Sequence, residues 1–158
     1  MTERGRGRVL VVLAGTGLLI SLYLTAFQVG LVASVWDPLF GSGSERVLTS
    51  NVSRLLPVPD ASLGAVAYGV DAVLAAVVAF AAEPPPIAVA LLAVIATIGA
   101  TVALVLVVLQ PLVARSLCSL CLASAALSVG LAVGALGEAR ERLLDPSATT
   151  RHSEVSNS

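Results

Sequence analysis

Residues 9–33 read VLVVLAGTGLLISLYLTAFQVGLVA, and no charged side chain occurs from Val9 to Trp36. A helix rises about 1.5 Å per residue, so about 20 apolar residues cross the roughly 30 Å of hydrocarbon in a bilayer. This run is longer than that and reads as a membrane-crossing helix with some tilt. The basic start TERGRGR would suit a cleaved signal, but a signal's apolar core is only about 7 to 15 residues. The segment is therefore expected to be a retained helix.

Working outward, the whole chain has the composition of a lipid-dissolved protein: 158 residues, 57% hydrophobic, 12% charged, with a mean hydropathy of +0.96. Three further apolar runs follow. One covers residues 61–82 and is closed by Glu83 and the prolines 84–86, which cannot continue a helix. The next covers 87–109 and ends near Gln110 and Pro111; the last covers 116–137, before the charged EARERLLD. The fold class is therefore all-α, an integral membrane four-helix bundle. Between the first two runs, WDPLFGSGSERVLTSNVSRLLPVPD mixes Gly, Pro, Ser and charge, and reads as an extramembrane loop over residues 36–60. The expected organisation is an N-terminus at 1–8, a membrane domain at 9–137 and a charged, disordered tail at 138–158.

Net charge is −1, with nine Arg, no Lys and ten acids. There is no basic field for nucleic acid, so that partner is excluded, and membrane lipid is the expected surround. Arg4, Arg6 and Arg8 precede the first span and Arg140, Arg142 and Arg151 follow the last, against Arg46, Arg54 and Arg115 in the first and third loops. That bias predicts a multi-pass cell-membrane protein with both termini cytoplasmic. The long loop and the turn holding Arg115 then face outward, where disulfides persist.

The chain has two cysteines, Cys118 and Cys121, spaced as Cys-x-x-Cys at the start of the fourth run. Positions i and i+3 share a helix face, so the sulfurs can open and close a disulfide. A helix N-terminus and a nearby cation, here Arg115, both favour thiolate over thiol. The competing readings are a pair that only packs, and a metal site. The latter lacks further ligands, since the single His is His152 in the tail, and no metal is expected. By helix position, Cys118 is expected to lie nearer the water and to meet a soluble thiol partner, with Cys121 deeper. Ser124 and Ser128 extend the cysteine face as a polar stripe expected to point into the bundle. Asp71 is the one acid well inside a span, with either a proton or ligand role or a structural hydrogen bond. It follows Gly64 and Tyr68 at helical spacing. Asn51-Val52-Ser53 fits the glycosylation sequon, a motif too common to carry an argument.

These residues resemble the vitamin K epoxide reductase family over residues 10–137. The likeness rests on SLCSLCLASA opening the fourth helix, Ser21 with Tyr23 to Thr25, Val47 and Ser50 in ERVLTS, Pro59 and Gly64 in PVPDASLGAVAY, and Tyr68. The resemblance implies an enzyme that reduces a membrane quinone, of menaquinone or ubiquinone type, with electrons from an extracytoplasmic thiol partner such as a thioredoxin-like protein. It implies Cys121 facing the quinone and Cys118 exchanging disulfides, with Val47, Ser50, Asp60, Gly64 and Tyr68 around the quinone. The chain departs from the family at the loop cysteine pair that relays electrons to the helix pair. Counting back from Val47 and Ser50, those positions hold Trp36 and Ser44. Two functions follow: a quinone-linked thiol–disulfide oxidoreductase supplied directly by a partner, or a non-catalytic subunit or assembly protein that keeps the fold.

Overall fold

The structure is a computed structural model, and it describes residues 3–50 and 59–144. The sequon, Arg54, His152 and the tail beyond residue 144 lie outside the described residues. Among the described residues, four helices are long and apolar enough to cross a membrane, over Gly5–Gln28, Asp60–Phe80, Pro86–Ala114 and Ser119–Leu143. The elements are α1 (Glu3–Gln28), a short α2 (Gly43–Leu48), α3 (Asp60–Phe80), α4 (Pro86–Leu109) with a wide turn at Gln110–Ala114, and α5 (Ser119–Ala139) with a second wide turn at Arg140–Leu144.

Three boundaries differ from the sequence expectation. The first helix starts at Glu3, inside the basic segment. The last helix runs past residue 137 into EARERLL. Both extensions have one cause, because Arg6 bonds Glu141, Glu138 pairs with Arg142, and Arg6 also lies 3.6 Å from Glu138. Charges expected to sit beyond the helices instead join the first to the last, with Glu138 only 1% exposed. The start of α1 and the end of α5 therefore share one side of the bundle. The third difference is α2, a helix of six residues within what reads as loop.

α1 packs on α3 and α5, and α4 packs on the same two from the other side. The core between them is built from Leu10, Ala14, Tyr68, Ala75, Val78, Val89, Leu92, Ala96, Leu131 and Ala135. Small residues bring the backbones together, as expected where lipid tails are as apolar as the core itself. A Cβ on Gly7 would stand 2.8 Å from the Ala79 Cα, so only glycine permits that approach of α1 to α3. The opposite helix faces carry exposed Val12, Leu19, Val66, Val73, Ile98 and Val133. Helices apolar on every side suit a lipid surround.

Candidate redox site

The wide turn after α4 contains Pro111, which supplies no N–H, and ends at Arg115 in left-handed backbone with φ of 49°. The chain then reverses through extended Cys118 into α5. Cys118 is the N-cap: its sulfur accepts the backbone N–H of Cys121 at 3.1 Å, one of the donors that a helix start leaves unpaired. Its own N–H donates to Gln110 Oε1 at 3.1 Å. Cys118 and Cys121 form a disulfide with Cα atoms 5.2 Å apart.

The outer cover of this pair is α2. Gly43 opens it against the Leu117 carbonyl, with no space for a Cβ. That contact seats Ser44, itself fully buried, with its hydroxyl 3.1 Å from Cys118 Sγ. The same hydroxyl lies 2.6 Å from Asp37 Oδ2. Asp37 is almost wholly buried and gathers donors from three segments. Its carboxylate accepts the N–H groups of Leu39, Phe40 and Ser44 at 3.2, 2.9 and 3.0 Å, and the hydroxyl of Ser119 at 2.5 Å. Burial by itself would push this carboxyl up. The bonds from Ser119, Ser44, Phe40 and Leu39 outweigh it and hold Asp37 well below the usual carboxylate range.

The expected exposure of Cys118 does not hold: Cys118 is 0% exposed, shut beneath Ser44, whereas Cys121 is half-buried. Position along the helix placed Cys118 nearer the water, but α2 covers it. The groups bonded to the Cys118 sulfur are Ser44 and the Cys121 N–H, and Arg115 is not among them.

Cys121 borders an apolar cluster of buried Leu24, Val35 and Leu48 with Ile20, Phe27, Ala61 and Leu120. At its edge, Gln28 joins three elements: Nε2 donates to Asp60 Oδ1 at 2.5 Å and to the Leu48 carbonyl at 3.4 Å, while Oε1 accepts the Ala61 N–H at 3.2 Å. Asp60 thus stands beside the cluster. Val47 is buried on α2, and half-buried Ser50 follows, its N–H on the Val47 carbonyl. Gly64 lies one turn into α3, where a Cβ would come 3.2 Å from Ser21 Oγ. Tyr68 is a turn deeper and braces two helices: its hydroxyl lies 2.7 Å from the Ser124 carbonyl and 2.6 Å from Ser128 Oγ. The serine stripe does face inward, and this phenol is what it meets. Asp71 is 3% exposed, and its Oδ1 has no hydrogen-bond partner among the described residues.

Sequence reasoning passed over Asp37, Ser119, Gln110 and Gln28. Asp37 had a local signal, since Asp before Pro commonly takes the N–H groups two and three residues on. Ser119 and Gln28 act through contacts distant in sequence, and Gln110 reaches Cys118 across the eight-residue reversal between α4 and α5. Of the two relay positions, Ser44 reaches Cys118, whereas Trp36 is 72% exposed and its backbone N–H bonds the Tyr23 hydroxyl.

Four membrane-crossing helices with a disulfide capping the last define a membrane bundle built around a thiol pair. The model of the vitamin K epoxide reductase family matches residues 8–136, and the chain belongs to that family. No curated protein and no solved structure matches it. The family is one of membrane oxidoreductases that typically use quinones, and the four apolar helices of this chain suit a multi-pass membrane protein.

Proposed function

We propose that this chain is a quinone-linked thiol–disulfide oxidoreductase working through Cys118 and Cys121 at the extracytoplasmic end of α5. The observation that carries the reading is the different setting of the two sulfurs. Cys118 has hydrogen-bond donors and a helix start to hold negative charge, and Cys121 borders an apolar cluster. In the closed geometry an incoming thiolate meets Cys121. It forms a bond to Cys121 Sγ, the Cys118–Cys121 bond breaks, and the electron pair leaves on Cys118. The donor's second thiol then displaces Cys121 and closes the donor's own disulfide. Re-forming the Cys118–Cys121 bond delivers two electrons, and with two protons they convert quinone to quinol.

Apolar walls with a few polar groups at the edge suit a quinone ring, and that is the character of the cluster around Leu24, Leu48 and Ala61. The family resemblance supports Val47, Ser50, Asp60, Gly64 and Tyr68 as the residues around that ring, and Asp60 adjoins the cluster through its bonds to Gln28 and the Ala61 N–H. The thiol donor is an extracytoplasmic dithiol protein, thioredoxin-like in chemistry. The arginine bias supports cytoplasmic termini.

The test is quinol formation by the purified protein with a dithiol and a quinone. Cys118→Ser and Cys121→Ser should each abolish it. The second reading, a non-catalytic subunit, is favoured by serine and tryptophan at the relay positions. A wild-type protein that makes no quinol would establish it.

A further inference from the structure

A serine hydroxyl has one proton to give. Ser44 holds that proton between two acceptors, Asp37 Oδ2 at 2.6 Å and Cys118 Sγ at 3.1 Å, with no exposed surface of its own. We propose that Asp37 and Ser44 set the thiol–disulfide equilibrium of Cys118 and Cys121 by competing for this proton, making both of them positioning residues of the redox pair. A disulfide sulfur is a weak acceptor, so in the oxidised pair the proton lies toward the carboxylate. When the disulfide opens, Cys118 carries the departing electron pair and becomes a strong acceptor. Ser44 then turns its proton to the sulfur, and Asp37 retains the N–H groups of Leu39, Phe40 and Ser44 and the Ser119 hydroxyl.

The two residues therefore act with opposite sign. Ser44 stabilises the reduced pair by donating to Cys118. Asp37 opposes reduction, because it withholds that proton and places a second negative charge near the sulfur. The strong hydrogen bonding that keeps Asp37 ionised keeps this opposition in force at neutral pH. The inference rests on the pair being redox-active, as proposed above, and requires nothing of the quinone.

The experiment is equilibration of the detergent-purified protein with graded ratios of reduced to oxidised dithiothreitol at mildly alkaline pH. Acid quenching and maleimide gel shift then read the fraction of disulfide. Ser44→Ala should need more reductant to reach the midpoint, by less than the roughly tenfold of a whole hydrogen bond to a charged group, because the oxidised state loses the Ser44–Asp37 bond as well. Asp37→Asn should move the midpoint the other way. Shifts of the same sign, or no shift, would overturn the proposal. Should Asp37→Asn not fold, Ser44→Thr decides: a retained hydroxyl keeps the wild-type midpoint, whereas a packing role gives a shift at least as large as alanine's. Quinol formation is followed in the same preparations. Opposed shifts without quinol leave this inference standing and remove the quinone from the proposed function; quinol without opposed shifts does the reverse. A wild-type pair that no ratio reduces while folded overturns both.

Discussion

The Ser44 hydroxyl oxygen and the Cys118 sulfur are 3.1 Å apart although 74 residues separate them in the chain. A thiol at position 44 would stand where a disulfide exchange with Cys118 is geometrically open. Ser44→Cys is therefore expected to form a disulfide to Cys118 and release Cys121 as the free thiol. Peptide mapping after maleimide labelling should place the label on Cys121. A label retained at position 44 would show that α2 does not hold this register.

The closed cover over Cys118 fixes which sulfur is trapped. In membranes that contain the natural partners, Cys118→Ser is expected to accumulate a reducible adduct on Cys121, and Cys121→Ser to accumulate little. Non-reducing gels compare the two directly. A stronger adduct on Cys118 would mean that α2 lifts away before exchange.

Asp71 keeps a buried carboxyl oxygen without a donor among the described residues. A buried polar atom left unpaired costs about 1 to 3 kcal/mol. Asp71→Leu is accordingly expected to raise the unfolding midpoint of the detergent-solubilised protein. A lowered midpoint would reveal a partner for the carboxyl. Turnover of the same variant separates a chemical role from none, with a fall in quinol formation expected if Asp71 carries a proton.

The Asp37 carboxyl has a folded-state value below its unfolded one, so its contribution to stability is full above the unfolded value of about 3.9 and is lost as pH falls through the folded value. The stability gap between wild type and Asp37→Asn should stay level from neutral pH down to about pH 5 and narrow only at more acid pH. Thermal unfolding of both proteins across that range checks it. A gap that closes near neutrality would mean that the carboxyl is not held by its donors.

For topology, a cysteine-free protein with single cysteine probes at Ser42 and Ser158 should label at the first site from outside and at the second only after permeabilisation. Equal access at both sites would refute the orientation.

Span number and the thiol pair were legible because each depends on residues close in sequence: an uninterrupted apolar run, a proline stop, a three-residue cysteine spacing. Where the helices end was less so. Arg6 and Glu138 look like flanking charges until the first and last helices are seen side by side. α2 was invisible for a different reason. Six residues, GSERVL, carry no periodic signal, and the helix is placed by Gly43 meeting the Leu117 carbonyl and Ser44 meeting Asp37 and Cys118. Family resemblance pointed to position 44 as a missing cysteine. It gave no hint that the serine there shares a carboxylate with Ser119.

The charged knot of Arg6, Glu138, Glu141 and Arg142 also bears on how the molecule is made. Ribosomes deliver α1 first and α5 last, so Arg6 enters the membrane region long before its acidic partners exist. Until then the helix pair α1 and α3 must wait with its third side open to lipid or to a chaperone. Glu138 can leave water only when Arg142, one turn later, has been synthesised beside it. Closure of the bundle is thereby deferred until the final span has emerged, and the redox pair at the opposite end of α5 is assembled in the same late event.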